Sequence, residues 1–354
     1  MAALAVIAWR SPAPDRVTDR SVYEATASRI IVPDCSDLHC FRVLVAWTLG
    51  ALPGDSIVKW KTYSVIANTA AAVAVFTLAL AWRLSSRAAV MAAVISAFGF
   101  GALYTLHDPF TSDPLMYALG PLVVVLLLHE RVAAAAIVGV AGVMAKEFVA
   151  APLFMFSAAS WLEGRRALAL RVLAAANLAL IVWLLLQLTL ILRFNYGYGE
   201  NPSTHLLTGG YLIPWLAQQS PRAALSALIN EFGALWVLAP AGLLIAPVAV
   251  RRFAMLALPV AAVFAYVQQP DRALWNFHFL VTPLAALILE RVPVVLAWST
   301  IGLFAFANLR VGAQLTGVPA ARFALAVSGM LAMVSIAVVW RGHRGATLES
   351  AAQA

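Results

Sequence analysis

Val172–Leu192 reads VLAAANLALIVWLLLQLTLIL. It holds no charged residue, no proline and no glycine. Roughly 20 such residues, at about 1.5 Å of rise each, reach across the hydrocarbon core of a bilayer. Lipid offers the backbone no hydrogen-bond partner, so a run of this kind spans as a helix. Working outward, apolar runs recur along the whole chain, and eleven complete spans are predicted. They are Thr62–Trp82, Ala88–Leu106, Pro114–His129, Val132–Ala145, Phe148–Leu162, Val172–Leu192, Phe232–Val250, Phe253–Gln268, Leu274–Leu289, Val292–Leu309 and Phe323–Trp340. The runs are continuous rather than alternating, which excludes a porin-like barrel.

Composition agrees. The 354 residues are 63% hydrophobic and 11% charged, with a mean hydropathy of +0.87. Soluble domains carry roughly a quarter charged residues, so a water-soluble globule of this chain would lack a polar coat. The fold class is all-α, a polytopic integral membrane bundle with an N-terminal stub. Residues 62–340 form the bundle, residues 1–61 a stub and outer loop with interfacial helices, and residues 341–354 a tail. Met1–Trp9 is apolar but too short to span. It reads as the last turns of a helix whose beginning is missing, or as an interfacial anchor.

Val132–Ala145 and Phe148–Leu162 flank Lys146 and Glu147. One long helix would put that charged pair in mid-bilayer at a cost of several kcal/mol. Two short spans with a surface turn avoid the cost. Eleven alternating spans then place eleven basic and four acidic residues on one side, a net of +7, and leave +1 on the other. The positive-inside rule makes the Arg-rich side cytoplasmic. The tail is therefore cytoplasmic, and loops 107–113, 193–231, 269–273 and 310–322 face outward. The expected location is a bacterial cytoplasmic membrane, with the active side extracytoplasmic. The net charge of +8 follows from sidedness, and nothing resembles a nucleic-acid module.

Twelve of the sixteen acidic residues fall outside. The first loop carries Asp15, Asp19, Tyr23 and Glu24; Asp19, Tyr23 and Ala27 recur at four-residue spacing, which suits a helix lying on the surface. A carboxylate at a membrane surface is suited to act as a general base toward a sugar or lipid hydroxyl. Cys35 and Cys40, the only cysteines, either join in an oxidising compartment, stay as two idle thiols, or make a metal site with Asp34, Asp37 and His39. Phe41–Trp47 reads as an interfacial segment. In the second loop Asp113 precedes Pro114 as a candidate N-cap, whereas Asp108 has no capping role. Lys146 and Glu147 either satisfy each other or set Lys146 toward an anionic ligand. Arg272 stands where a guanidinium forks onto a phosphate. His278, among aromatics at a helix start, reads as a packed core histidine.

This layout resembles the GT-C type integral-membrane glycosyltransferases. The stretch Asp19…Tyr23…Ala27 followed by Phe41–Trp47 is similar to their first periplasmic loop, and Asp113-Pro114 to their second. Ala145-Lys146-Glu147 resembles their short "KE" motif, and Arg272 before a helix containing Pro283 resembles their late Arg…Pro segment. Two departures stand out: most of the first membrane helix is missing, and the first loop lacks an adjacent Asp-Glu or Asp-x-Asp pair. The resemblance implies inverting transfer of a sugar from a polyprenyl-phosphate donor to an outer lipid or glycan acceptor. Asp19 or Asp15 would take the acceptor's proton, and Lys146 and Arg272 would hold the donor phosphate. Tyr23, Glu24, Asp108, Asp113, Glu147 and His278 complete the candidate set. No cofactor and no required metal are implied, although Asp108, Asp113 and Glu147 leave room for a divalent cation. Two other classes compete: a small-molecule transporter, which needs midplane charges and repeats, and a scaffold subunit, whose outer carboxylates would be idle.

Overall fold

The structure, a computed structural model, describes residues 1–11, 17–197, 217, 232–267, 275–309 and 319–352. All regular structure among them is helical. The N-terminal segment comprises α1 (Ala2–Arg10), α2 (Val17–Arg29), a 3₁₀ turn (Leu38–Phe41) and α3 (Val43–Gly50). The central helices are α4 (Ser56–Ala81), α5 (Ser86–Ala97), α6 (Phe100–His107), α7 (Asp113–Leu128), α8 (Val132–Val143), α9 (Ala151–Leu162) and α10 (Arg166–Phe194). Later come α11 (Leu235–Ile245), α12 (Val248–Val267), α13 (His278–Leu289), α14 (Val294–Asn308) and α15 (Pro319–Ala352).

Where the predicted spans fall on described residues they are mostly helical, with interruptions at Phe98–Gly99 and Ala246–Pro247. Four helices among the described residues are long and apolar enough to cross a membrane: Ser56–Ala81, Ser86–His107, Arg166–Phe194 and Ala320–Gly342. Shorter apolar helices of 10–17 residues make up much of the rest. On α10 the exposed side chains include Leu178, Ile181, Leu184, Leu185, Leu188 and Leu192. Such a stripe suits hydrocarbon and is unfavourable in water.

Local chemistry sets the boundaries. The Asp55 carboxylate caps α4 by accepting the Val58 N–H at 3.0 Å, and Ser85 caps α5 through the Ala88 N–H at 3.0 Å. Such caps satisfy N–H groups left open in the first turn. The span predicted as continuous from Ala88 to Leu106 is broken at Phe98–Gly99. The reason is Trp275: its buried indole lies so close to Gly99 and Gly101 that a Cβ at either would collide with it.

α4 packs against α5 and α7, α10 lies along α8 and α9, and α11 along α13. Val75, Leu78, Met91, Val123, Val124 and Leu127 lie in the resulting core. Inside it, Ser64 donates to the Thr105 carbonyl at 2.7 Å, and the Asn68 amide donates to Thr105 Oγ1 at 2.9 Å. These bonds tie α4 to α6 where water does not compete. α1 seats Leu4 and Ala8 against Val65, Leu103 and Leu106.

Candidate functional site

The first loop folds back over the helix ends as α2 and α3 packed together. Their contact is close at Gly50, where a Cβ would meet the Ala27 backbone. The Trp47 indole N–H donates to the Ile30 carbonyl at 2.6 Å. The Leu44 N–H donates to the Met144 carbonyl at 3.1 Å, which joins α3 to the turn containing Lys146. Tyr23, Val45, Ala46, Leu49, Trp60, Phe110 and Ala145 form the apolar floor, and Arg20 lies over the Phe110 ring at 5.0 Å. Three segments far apart in sequence thus meet: the first loop, the second loop and the Lys146–Glu147 turn.

The loop is also stitched to the end of α10. The Asp34 N–H donates to the Phe194 carbonyl at 3.0 Å, the Gly197 N–H to the Cys35 carbonyl at 2.9 Å, and the Asn195 amide to Asp34 Oδ1 at 2.7 Å. Cys35 and Cys40 form a disulfide. That resolves the alternatives for the two thiols. Among the described residues no group of three His, Cys, Asp or Glu side chains is arranged to hold a metal ion.

At the centre lies a buried ion pair. Lys146 Nζ is 2.6 Å from Asp113 Oδ1, with Lys146 3% and Asp113 1% exposed. Two sequence expectations change here. Asp113 does not cap α7: it is the helix's first residue, Ser112 occupies the N-cap position, and the carboxylate turns to Lys146. The alternative in which Lys146 and Glu147 satisfy each other gives way as well. The extended backbone at Lys146 sends the two side chains apart, and Glu147 Oε1 meets Arg42 Nη2 at 3.5 Å. Arg42 is itself buried.

Tyr23 adjoins both pairs. Burial pushes its phenol pKa up, the Arg42 charge and the nearby Ser112 hydroxyl oppose that, and Asp113 and Asp19 add to it. The Tyr23 and Ser112 hydroxyls are buried, and neither completes a hydrogen bond. Asp19 Oδ2 lies 3.7 Å from His39 Nε2, and His39 Nδ1 lies 2.7 Å from Asp37 Oδ1. The hydrogen bond from His39 holds the Asp37 carboxyl below its ordinary range.

Of the candidates taken from sequence, Asp19, Tyr23, Asp113, Lys146 and Glu147 come together. Glu24 turns elsewhere, pairing with Arg20 at 3.2 Å and accepting from Ser56 at 2.8 Å. Asp108 follows α6 at its C-cap, half-buried. His278 is buried, edge-to-face with Tyr117 at 5.2 Å and stacked on Trp275 at 5.9 Å. This packing matches the core histidine expected, and its neighbour Tyr117 stands one helical turn along α7 from Asp113. Asp15 and Arg272 lie outside the described residues. Sequence reasoning passed over Arg42 as a site cation and His39 as a neighbour of Asp19. The readable signal for Arg42 was a guanidinium inside the otherwise apolar run Phe41–Trp47.

Glu147 also lines the end of an apolar groove of about 480 Å³. Val143, Phe154, Leu180, Trp183, Pro259 and Val260 are among its walls. Glu147 thus both lines the groove and pairs with the buried Arg42.

No known family model matches the sequence, and no characterised protein matches it either. Among solved structures the chain is similar to the oligosaccharyltransferase of Archaeoglobus fulgidus. The apo form aligns at 13% identity and a TM-score of 0.47, over 93% of this chain and 55% of that one. The form tethered to an acceptor peptide containing the NVT sequon aligns at 15% identity and a TM-score of 0.47, over 95% of this chain and 54% of that one. The chain thus spans about half the length of the solved structures it matches.

Proposed function

We propose that this chain is a membrane glycosyltransferase that moves a sugar from a polyprenyl-phosphate donor to a lipid or glycan acceptor outside the membrane. The observation that supports this reading best is the meeting of Asp19 and Tyr23 with one buried and one part-buried cation–carboxylate pair beside an apolar groove. A lipid-borne phosphate needs cations at headgroup depth and an apolar channel for its tail. An acceptor hydroxyl needs a carboxylate on the water side. In this reading Arg42 joins Lys146 and Arg272 in holding the phosphate. The Arg42 guanidinium pairs with Glu147, and a planar guanidinium is the side chain whose geometry suits phosphate oxygens. Asp19, with Asp15 as the alternative, removes the proton from the acceptor oxygen as that oxygen attacks the anomeric carbon. The prenyl phosphate departs from the opposite face, which inverts the configuration. Lys146 and Asp113 fix the electrostatics of the turn, and the cations stabilise charge growing on the leaving phosphate.

The eleven-span topology, with Arg-rich links in the cytoplasm and the site outside, belongs to the same proposal. So does the bacterial cytoplasmic membrane. The decisive experiment measures transfer of a radiolabelled sugar from short-chain polyprenyl phosphate in proteoliposomes. Asp19→Asn is expected to lower kcat by about 10²- to 10⁴-fold, the usual range for a lost general base, while the protein still inserts. Full activity in the Asp15→Asn, Asp19→Asn double variant removes both carboxylates from the role of base.

A further inference from the structure

In the glycosyltransferase reading, Asp19 ends the transfer carrying a proton that has to leave before the next turnover. We propose that His39 is the positioning residue that orients Asp19 and relays this proton to water; the inference rests on that reading.

The geometry is specific. Asp37 Oδ1 accepts the His39 backbone N–H at 2.7 Å and meets His39 Nδ1 at 2.7 Å. One carboxylate oxygen therefore grips both the backbone and the ring. That contact fixes the tautomer: Nδ1 keeps its hydrogen toward Asp37, so the lone pair lies on Nε2. Nε2 faces Asp19 Oδ2 at 3.7 Å. The turn is bracketed by the Cys35–Cys40 disulfide, which holds Asp37 and His39 within one closed loop. The Tyr23 ring lies against the imidazole at 5.6 Å, tilted by 59°. Among the described residues, the charged and titratable groups around His39 include Asp37 on its own turn, Asp19 and Tyr23 on α2, and Arg42 acting on Asp37 from the turn's far end. The His39 side chain is 19% exposed and that of Asp19 38%, so the pair lies at the water-facing edge of the site with His39 the more firmly held of the two.

The step balances as follows. The acceptor oxygen bonds to the anomeric carbon, and the bond from that carbon to the phosphate oxygen breaks, its electron pair leaving with the prenyl phosphate. The acceptor proton goes to Asp19 Oδ2, then to His39 Nε2, then to bulk water. Both residues return to their starting forms, and no oxidant, reductant or co-reactant is consumed.

The test compares wild type with His39→Gln and His39→Ala in the sugar-transfer assay. The expected results are a fall in kcat of about tenfold or more for both variants with donor and acceptor KM within twofold. Added imidazole restores the Ala variant. A separate measurement needs no turnover: ¹⁵N spectra of histidine-labelled protein show His39 as the Nδ1–H tautomer, and Asp37→Asn removes that preference. An active wild type with unchanged kcat in His39→Gln overturns the relay alone. So does a loss that imidazole fails to rescue. A wild type that transfers no sugar from any prenyl phosphate overturns the parent reading and the relay together, whatever the spectra show.

Discussion

The two ends of the bundle use the same chemistry to opposite effect. At the Arg-rich end, Arg165 meets Glu163 at 2.8 Å and Glu130 at 3.9 Å, with side chains 42%, 25% and 63% exposed. At the other end, Lys146 and Asp113 meet at 2.6 Å with almost no exposure. Water screens the first network, so its pairs contribute about 0–1 kcal/mol each. The second pair has lost its hydration and is held by mutual attraction. Replacing both members of such a pair with apolar groups is often neutral, whereas removing one strands a buried charge. A buried pair is therefore weak evidence for stability and better evidence for a use. Here that use is a fixed charge pattern beside Tyr23 and Arg42.

Four substitutions break or sharpen this contrast. Lys146→Met strands the Asp113 carboxylate and is expected to cost about 3–5 kcal/mol, read as lost folded protein in detergent thermal melts. Adding Asp113→Asn is expected to restore most of the folded yield without activity, and equal yields for single and double variants would remove the buried charge as the cause. Arg42→Ala is expected to raise the donor KM about tenfold or more, because a charge-assisted contact to phosphate is worth about 1.5–3 kcal/mol; donor titration in the transfer assay reads it. Arg165→Ala is the small case. A shift within about 0.5 kcal/mol is expected in the same melts, and a loss comparable to that of Lys146→Met would erase the distinction between the two ends.

The sequence made some of this legible and hid the rest for a physical reason. Helical spans are local, so hydropathy located them, and the turn at Lys146 followed from the cost of mid-bilayer charge. Asp19, Tyr23, Asp113, Lys146 and Glu147 were readable as candidates because polar groups stand out against an apolar chain. Their pairings were not. Lys146 and Asp113 are 33 positions apart, Arg42 and Glu147 are 105 apart, and short-range patterns carry no record of such contacts. Lys146 and Glu147 are neighbours in the chain, yet one peptide of extended backbone gives each a different partner. The break within the second predicted span was hidden for the same reason: the indole that occupies it arrives from residue 275.

That indole makes the late part of the molecule a key fitted into a lock cut early. Trp275 follows Arg272 by three positions in the chain, and it fills the notch at Gly99 and Gly101, from which α6 runs to Asp108. Any displacement that drags the indole out leaves α6 without its brace, and a side chain larger than hydrogen at either glycine jams the fit from the other side. A shift of Trp275 would thus be felt along α6 as far as Asp108 as mechanical strain, without any charge passing between them.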